Sequence, residues 1–570
     1  MAKQRRQARG VGPTGKGVKS ARSNGCLIAG IVAVGIALIG CTVTYALLRR
    51  QEQPRDERRV ELVVAYSPEK GAVFRELVDG FNDTRPSLST PNKDVIVTPI
   101  EIAPDEMAAA AAANQVDAIS PDSSIWLGEV DRAWDEAQGT DTGLVGDSAR
   151  YMVSPVVIAM WRDVAAEMGY PERELGWQDL LRAADGNPQF RWSHPSANSA
   201  SGLLATLALF YAGSGTTRGL TQEIATSEET LAYVARLEKT VKHYGEGELA
   251  VMEQVEARGR EYLDAFVVQE QLVVQYNARD AGAELVAIYP SEGTLWEDHP
   301  LALLEHPDRT DEERLAFQLF KEYLATPASQ ALVLRYGYRP TDLSIPLDGA
   351  DSPIRAENGV DPAKPYTTLQ VPGASVIAVV RNAWRHTKRQ ANIYLVVDTS
   401  GSMKGNKIVD AQTALQTFVA QVQGGQDRVG LIGFATRARE QVPLTQVSEG
   451  REMLTQAIDR LEATGNTALI DGVDLAYDKL VSLNDRERIN AIVVMTDGKE
   501  NRSNTRISAL TGALGRSAQS DLPIVVFCIA YGSDADLAML NAISGAAGGF
   551  TRQGELGTIE DLYKTLSTYF

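Results

Sequence analysis

The hydrophobic pattern of this chain changes period several times. A run of 23 uncharged residues, 26–48, comes first and is closed by Arg49 and Arg50. At 1.5 Å per residue it makes roughly 34 Å of helix, enough to cross a bilayer core of about 30 Å. From Val60 onward, short apolar runs alternate with stretches whose apolar residues recur at three- and four-residue spacing. Residues 60–65, 95–102 and 116–119 read as strands. Residues 71–82, with Val73, Phe74, Leu77, Val78 and Phe81 on one face, and 107–113 read as helices. This β-α-β-α-β order predicts an α/β domain with a mainly parallel sheet.

The middle of the chain continues in mixed style. A strand is predicted at 153–161, helices near 163–168 and 177–184, a short strand at 190–193 and a Ser-led helix over 198–211. Strand character returns at 285–289, and helices at 311–325 and 327–336 close the section. Residues 345–366, rich in Pro, Gly and Asp, read as a linker, and 373–387 as a helix. Then Tyr394-Leu395-Val396-Val397 forms a continuous apolar run, the mark of a parallel strand buried on both faces. Further strands are predicted at 428–434, 489–495 and 524–530, with helices from about Lys407 and near 449–461. The expected plan is a basic tail at 1–25, a membrane span at 26–48, a first folded region at 60–345, a connection at 346–390 and a doubly wound α/β domain at 391–570. At 570 residues the chain is too long for a single core.

Charge sharpens this division. The chain carries a net charge of −18, yet residues 1–50 hold nine Lys or Arg and no acid, which leaves −27 on residues 51–570. Seven of those positive charges precede the apolar run, so the positive-inside bias places the N-terminus in the cytoplasm and everything after Arg50 outside. Two readings of the run stand: an uncleaved signal anchor, or a lipoprotein signal in which Leu38-Ile39-Gly40-Cys41 resembles a lipobox and Cys41 carries lipid. The apolar stretch continues past Cys41, which favours the anchor. An acidic bulk excludes nucleic acid as a partner, because phosphate binding needs a basic surface. The three cysteines, Cys26, Cys41 and Cys528, suggest no disulfide framework, and Cys528 reads as a small core hydrophobe.

Candidate chemistry in the first region is diffuse. Strand 62–65 runs into a loop at Ser67. Val116-Asp117-Ala118-Ile119-Ser120-Pro121 leads to Ser123, Ser124 and Ile125-Trp126. Ile288-Tyr289-Pro290-Ser291-Glu292-Gly293 comes later. In this order and flavour the region resembles a type II periplasmic solute-binding protein, the receptor of ABC importers. The resemblance implies two α/β lobes joined by a hinge, one at 60–150 plus 285–345 and the other at 152–283, with ligand in the cleft. Helix N-termini and free backbone N–H groups favour anions, and hydroxyl residues add donors. Ser67, Ser123, Ser124, Ser199, Ser201 and Tyr276 are the candidates, although a Ser at a helix start also serves simply as a cap.

The C-terminal domain gives a sharper signal. Ligands of an open α/β sheet gather at the carboxyl ends of its strands, where Asp398, Ser400, Ser402 and Asp497 all fall, with Thr467 in the loop beside them. Carboxylates and hydroxyls are hard oxygen donors suited to Mg²⁺, Mn²⁺ or Ca²⁺ rather than zinc. Asp398-Thr399-Ser400-Gly401-Ser402, the later Gly465-Asn466-Thr467 and Thr496-Asp497-Gly498 together resemble the metal-ion-dependent adhesion site of von Willebrand factor A domains. That resemblance implies a Mg²⁺ ion held by these five side chains, with one position open for an acidic side chain of a partner protein. No Gly-x-x-x-x-Gly-Lys followed by the Ser or Thr of a phosphate loop, no His-Glu-x-x-His and no Gly-x-Ser-x-Gly elbow occurs, and the motif places no base beside Ser400, so catalysis is not expected. Two functions remain: metal-dependent adhesion at the bacterial cell surface, or solute reception for a transporter with the C-terminal domain as an accessory.

Overall fold

The computed structural model describes residues 58–554, apart from 90–91, 246, 280–283, 423–424, 519, 521 and 533. The predicted span at 26–48 and Cys41 lie outside the described residues. Among the described residues no helix is long and apolar enough to cross a membrane.

Three sheets organise the described residues. The first runs in the order Ser87–Ser89, Asn92–Glu101, Arg59–Tyr66, Ala118–Ser120, Pro300–Leu304 and Val145–Arg150. Its centre is parallel, and Pro300–Leu304 enters antiparallel. Helix Gly71–Asp83 buries Val73, Phe74, Leu77, Val78 and Phe81 against it, the stripe its spacing predicts. The second sheet is built on Met152–Trp161, which pairs antiparallel with Leu285–Ile288 and with Ala265–Gln269. Trp192–Pro195 and Val241–Gly245 extend it in parallel.

One assignment from sequence is corrected here. Leu285–Ile288 belongs to the second lobe, not the first, and the strand that returns to the first sheet is Pro300–Leu304. A four-residue apolar strand fits either sheet by pattern alone. Its place is fixed by a backbone ladder to Met152–Trp161 and by Asn277, whose Nδ2 donates to the Leu285 carbonyl at 2.8 Å. The Pro- and Gly-rich stretch that follows lies against the same lobe. Ile354 and Val360 are buried in its core. Gly359, at φ 76°, is packed so closely that a β-carbon there would sit 2.1 Å from the Leu285 carbonyl oxygen, so only glycine fits.

The third sheet has the order Ala438–Gln446, Arg428–Phe434, Ala391–Asp398, Ile489–Thr496, Ile524–Tyr531 and Thr551–Gly554. Every residue of Ala391–Asp398 is buried. Alternation explains how: Ile393, Leu395 and Val397 join one apolar cluster, while Tyr394 and Val396 join another on the opposite face. Helices Asn406–Gln421 and Val447–Asp459 cover the first face through Leu415, Phe418 and Leu454, and Leu469–Leu483 covers the second through Val473 and Leu480. The edge strand Ala438–Gln446, antiparallel to Arg428–Phe434, has no counterpart in the sequence reading, because only Val442 of its residues is buried and no apolar run marks it. Cys528 is buried in the third sheet's core, and burial pushes its thiol up to about 12.

Candidate metal centre and interlobe cleft

Asp398 ends the central strand of the third sheet, and Asp497 follows the neighbouring parallel strand Ile489–Thr496. The turn Gly401–Met403 brings Ser402 back over the same end. Backbone hydrogen bonds tie the contributing loops together: Thr464 N donates to Thr399 O at 2.7 Å, Gly401 N to Gly465 O at 3.0 Å, and Asn501 N to Thr467 O at 3.1 Å. Thr467 is thereby held beside the aspartates although it lies far from them in sequence.

All five side chains named from sequence converge. Ser400 N donates to Asp398 Oδ1 at 2.7 Å, Ser400 Oγ lies 2.9 Å from Ser402 Oγ, and Ser402 Oγ donates to Asp497 Oδ1 at 2.7 Å. Gly498 locates the focus. A β-carbon built there would lie 3.4 Å from Ser402 Oγ, 3.5 Å from Thr467 Oγ1 and 3.7 Å from Asp398 Oδ2. Three hard oxygens from two loops, 398–402 and 464–467, thus surround one point beside Gly498 of a third loop, at an open cavity of about 410 Å³ also lined by Ser400, Asp497 and Asp534. Asp398 and Asp497 are 0% and 1% exposed. Burial raises the Asp398 carboxyl above the usual range, the Ser400 and Thr496 hydrogen bonds pull it back, and the Asp497 charge adds to the rise. A bound cation offsets that repulsion.

Sequence reasoning missed three supporting groups. Thr496 Oγ1 donates to Asp398 Oδ2 at 2.5 Å. Lys407, in the first turn of Asn406–Gln421, is ion-paired to Asp497 Oδ2. Asn501 Oδ1 accepts from Thr467 N at 3.0 Å. Thr496 directly precedes Asp497, so its place at the strand end was available as a signal. Lys407 and Asn501 carry none beyond proximity to the motif.

Gly498 also supplies a clean test. Contacts of 3.4–3.7 Å around its added β-carbon are ordinary van der Waals distances, so Gly498→Ala should leave metal-free stability within about 0.5 kcal/mol of wild type. The methyl group nevertheless stands among the donor oxygens. Calorimetric titration with Mn²⁺ should show affinity lowered by about tenfold or more, the range seen when support of a metal site is disturbed.

In the two-lobed region the six candidates separate. Ser67 is fully buried, and its Oγ has no hydrogen-bond partner. Ser123 is buried and its Oγ accepts from Ile125 N at 3.4 Å. Ser201 is buried beside Glu248. Ser124 N donates to Asp298 Oδ1 at 2.7 Å on the surface. Ser199 caps helix Ala200–Ser214 by accepting from Gly202 N at 3.1 Å. Tyr276 packs edge-on against Trp161 and lines a groove with Leu249 and Met252.

The expected anion-seeking lining is not what surrounds Ser67, Ser123 and Ser201. Lys70, Asp122, Glu248, Glu297 and His299 are all buried. Burial, with the neighbouring carboxylates, raises Glu297 well above the carboxylate range, and burial raises Glu248 to about 8. Burial and Lys70 lower His299 to about 4. Acidic groups dominate this crevice, and sequence reasoning looked there for donors alone.

Comparison with known proteins divides the chain at the same place. Residues 392–565 match the von Willebrand factor type A domain family, and residues 62–339 match the bacterial extracellular solute-binding protein family. An uncharacterized protein of Synechocystis sp. is 30% identical over 195 residues, 34% of this chain and 43% of that protein. The chain spans less than half the length of the curated relatives it matches first. Among solved structures, a von Willebrand factor type A protein from Catenulispora acidiphila is 19% identical with a TM-score of 0.28, covering 32% of this chain and 43% of its own. The sulfate-binding protein of Mycobacterium tuberculosis is 19% identical with a TM-score of 0.37, covering 51% of this chain and 91% of its own.

Proposed function

We propose, for a chain that carries a von Willebrand factor type A domain at 392–565 behind a bacterial solute-binding domain at 62–339, a membrane-anchored, extracytoplasmic binding protein that grips a partner protein through a divalent metal ion. The reading is of a binding protein rather than an enzyme. One observation carries it: Asp398 and Ser402 from one loop and Thr467 from another present oxygens around a single point beside Gly498 of a third, with Asp497 joined to Ser402.

The donor set fits a hard cation. Ser400, Ser402 and Thr467 offer neutral hydroxyls, and Asp398 and Asp497 offer the charge, directly or through water. Mg²⁺, or Mn²⁺ or Ca²⁺ in its place, supplies a Lewis-acidic vertex for an acidic side chain of the partner. The chain's own part is to hold these oxygens before the ion arrives. Thr496 fixes one oxygen of Asp398, while Ser402 and Lys407 hold the two oxygens of Asp497. Lys407 must yield part of its hold on Asp497 if that carboxylate is to serve the ion directly.

Titration of the full-length chain with Mn²⁺ tests the site, and a polyglutamate probe tests the open position. Wild type should bind the probe only with metal present, and EDTA should abolish binding. Asp398→Ala should lower metal affinity by about 10–100-fold and remove probe binding. Equal probe binding with and without EDTA defeats the reading. The second reading, a solute receptor for a transporter with the von Willebrand domain as an accessory, is favoured by the unpaired buried polar atoms of the interlobe cleft.

A further inference from the structure

The crevice between the lobes lies where the carboxyl ends of both sheets face each other. Lys70 and Asp122 follow strands Arg59–Tyr66 and Ala118–Ser120 of the first sheet, while Gln269 ends a strand of the second and Glu248 follows Val241–Gly245. Trp296–Glu297 pairs with Met152–Trp161 at Ser154 and Pro155, and His299 follows, its N donating to Asp122 O at 2.9 Å.

We propose that this crevice binds a first-row transition-metal cation, with Asp122, Glu297 and His299 as its ligands. The inference rests on the solute-receptor reading of the first domain and is independent of the site at Asp398. One ligand atom from each of the three residues lies within 4.8 Å of the other two, close to the roughly 4 Å that separates opposite ligands of one ion at bonds of about 2.0–2.2 Å.

The hydrogen-bond inventory points to a missing positive charge. Both carboxylate oxygens of Glu297, Asp122 Oδ1 and His299 Nδ1 are shut off from water and have no hydrogen-bond partner, and Glu69 Oε2 and Ser67 Oγ share that condition. A buried carboxylate with neither oxygen satisfied is among the costliest arrangements in a protein interior. Lys70 does not resolve it. Its ammonium donates to Pro121 O at 2.7 Å and Ser120 Oγ at 3.4 Å, and reaches Asp122 Oδ1 only at 3.5 Å without a hydrogen bond. One ammonium faces Asp122 and Glu297, which are 2% and 0% exposed.

The histidine is oriented as a ligand. Gln269 Nε2 donates to Glu248 Oε1, which turns the amide oxygen toward His299 Nε2 at 2.9 Å. That oxygen only accepts, so Nε2 carries a proton, and in the neutral imidazole Nδ1 then carries the lone pair. Nδ1 lies 3.4 Å from Asp122 Oδ1, so with the ring neutral two acceptors face each other. A metal ion is what such a pair accommodates, and the Glu248–Gln269–His299 chain is the outer support a ligating imidazole usually has. Mixed imidazole and carboxylate donors select Zn²⁺, Mn²⁺ or Fe²⁺ over Mg²⁺ or Ca²⁺.

The test uses the full-length chain carrying Asp398→Ala, which silences the C-terminal site. After loading with Zn²⁺ or Mn²⁺ and dialysis, elemental analysis should find one retained equivalent. Co²⁺ should give visible ligand-field bands, a readout that needs no further variant. Adding Glu297→Gln, which keeps shape and removes charge, should weaken affinity by at least about tenfold, and Asp122→Asn should do the same. No retained metal and no Co²⁺ spectrum would overturn the proposal, leaving Lys70 and bound protons to neutralise the crevice. Stabilisation by putrescine without any metal uptake would also overturn it, in favour of an organic cation. If Mn²⁺ uptake instead disappears entirely with Asp398→Ala, the C-terminal reading survives and this one does not.

Discussion

Arg339→Ala is expected to cost about 3–5 kcal/mol of stability, the range for removing one partner of a buried ion pair. Arg339 and Glu270 are 7% and 0% exposed, and the guanidinium meets the carboxylate through both Nε and Nη2 at 2.7 Å. Nη2 also donates to Asp361 O at 3.2 Å, and the guanidinium lies over the Trp296 ring at 5.3 Å. One side chain therefore joins the start of helix Glu270–Arg279, the stretch after Val360 and the segment carrying Glu297. Without it, the Glu270 carboxylate keeps the Tyr289 hydroxyl but loses its only cation among the described residues. If the unpaired charge is the cause, Arg339→Met combined with Glu270→Gln should be less destabilised than Arg339→Met alone. Urea unfolding of the four members of that double-mutant cycle measures the difference. Simple additivity would assign the loss to packing over Trp296.

The parts legible in sequence were those with a short-range signature. Ala391–Asp398 was readable because burial on both faces forces a continuous apolar run, and helix Gly71–Asp83 because its stripe repeats at helical spacing. The oxygen donors of the C-terminal site were readable because three of them lie within five residues, and Thr467 and Asp497 each sit in a recognisable loop. The interlobe crevice has no such economy. Lys70, Asp122, Glu248, Gln269, Glu297 and His299 are spread along the chain, and each alone reads as an ordinary surface charge or core polar residue. Glu297-x-His299 beside Trp296 was the one local hint. Strand Leu285–Ile288 was found as a strand but placed in the wrong lobe, since pattern reports burial and not which ladder supplies it. Edge strand Ala438–Gln446 was invisible for the opposite reason: a strand with little burial leaves no apolar trace.

The C-terminal domain is held to the second lobe by a buried polar joint, and Trp384→Ala should break it at a cost of about 3–5 kcal/mol, the range for deleting a buried Trp or Phe side chain. Trp384, in helix Ala374–Thr387, donates its indole N–H to Glu238 Oε1 at 2.9 Å. The other oxygen of Glu238 accepts from Tyr244 OH at 2.6 Å, and Arg389 N donates to the same hydroxyl at 2.9 Å. Arg389 completes the joint: Nη1 donates to Val241 O at 2.8 Å in the second lobe, and Nε and Nη2 reach the carbonyls of Glu487 and Arg486 at 3.3 Å in the C-terminal domain. Removing the indole deletes apolar area and leaves a fully buried Glu238 short of a donor, so the two costs act together. Trp384→Phe separates them, because it keeps most of the area and removes the N–H. It should lose about 1–3 kcal/mol, the cost of an unsatisfied buried acceptor. Calorimetry should show the consequence as a split: one unfolding transition in wild type, and in Trp384→Ala an earlier transition for the second lobe followed by a separate one for the C-terminal domain. Mg²⁺, the ion the proposed site at Asp398 takes and the crevice disfavours, should raise only the later transition, since ligand binding stabilises only the unit that holds its site. A variant that still melts in one step, shifted as a whole by Mg²⁺, would mean that Arg389 and the remaining contacts suffice to keep the two units coupled.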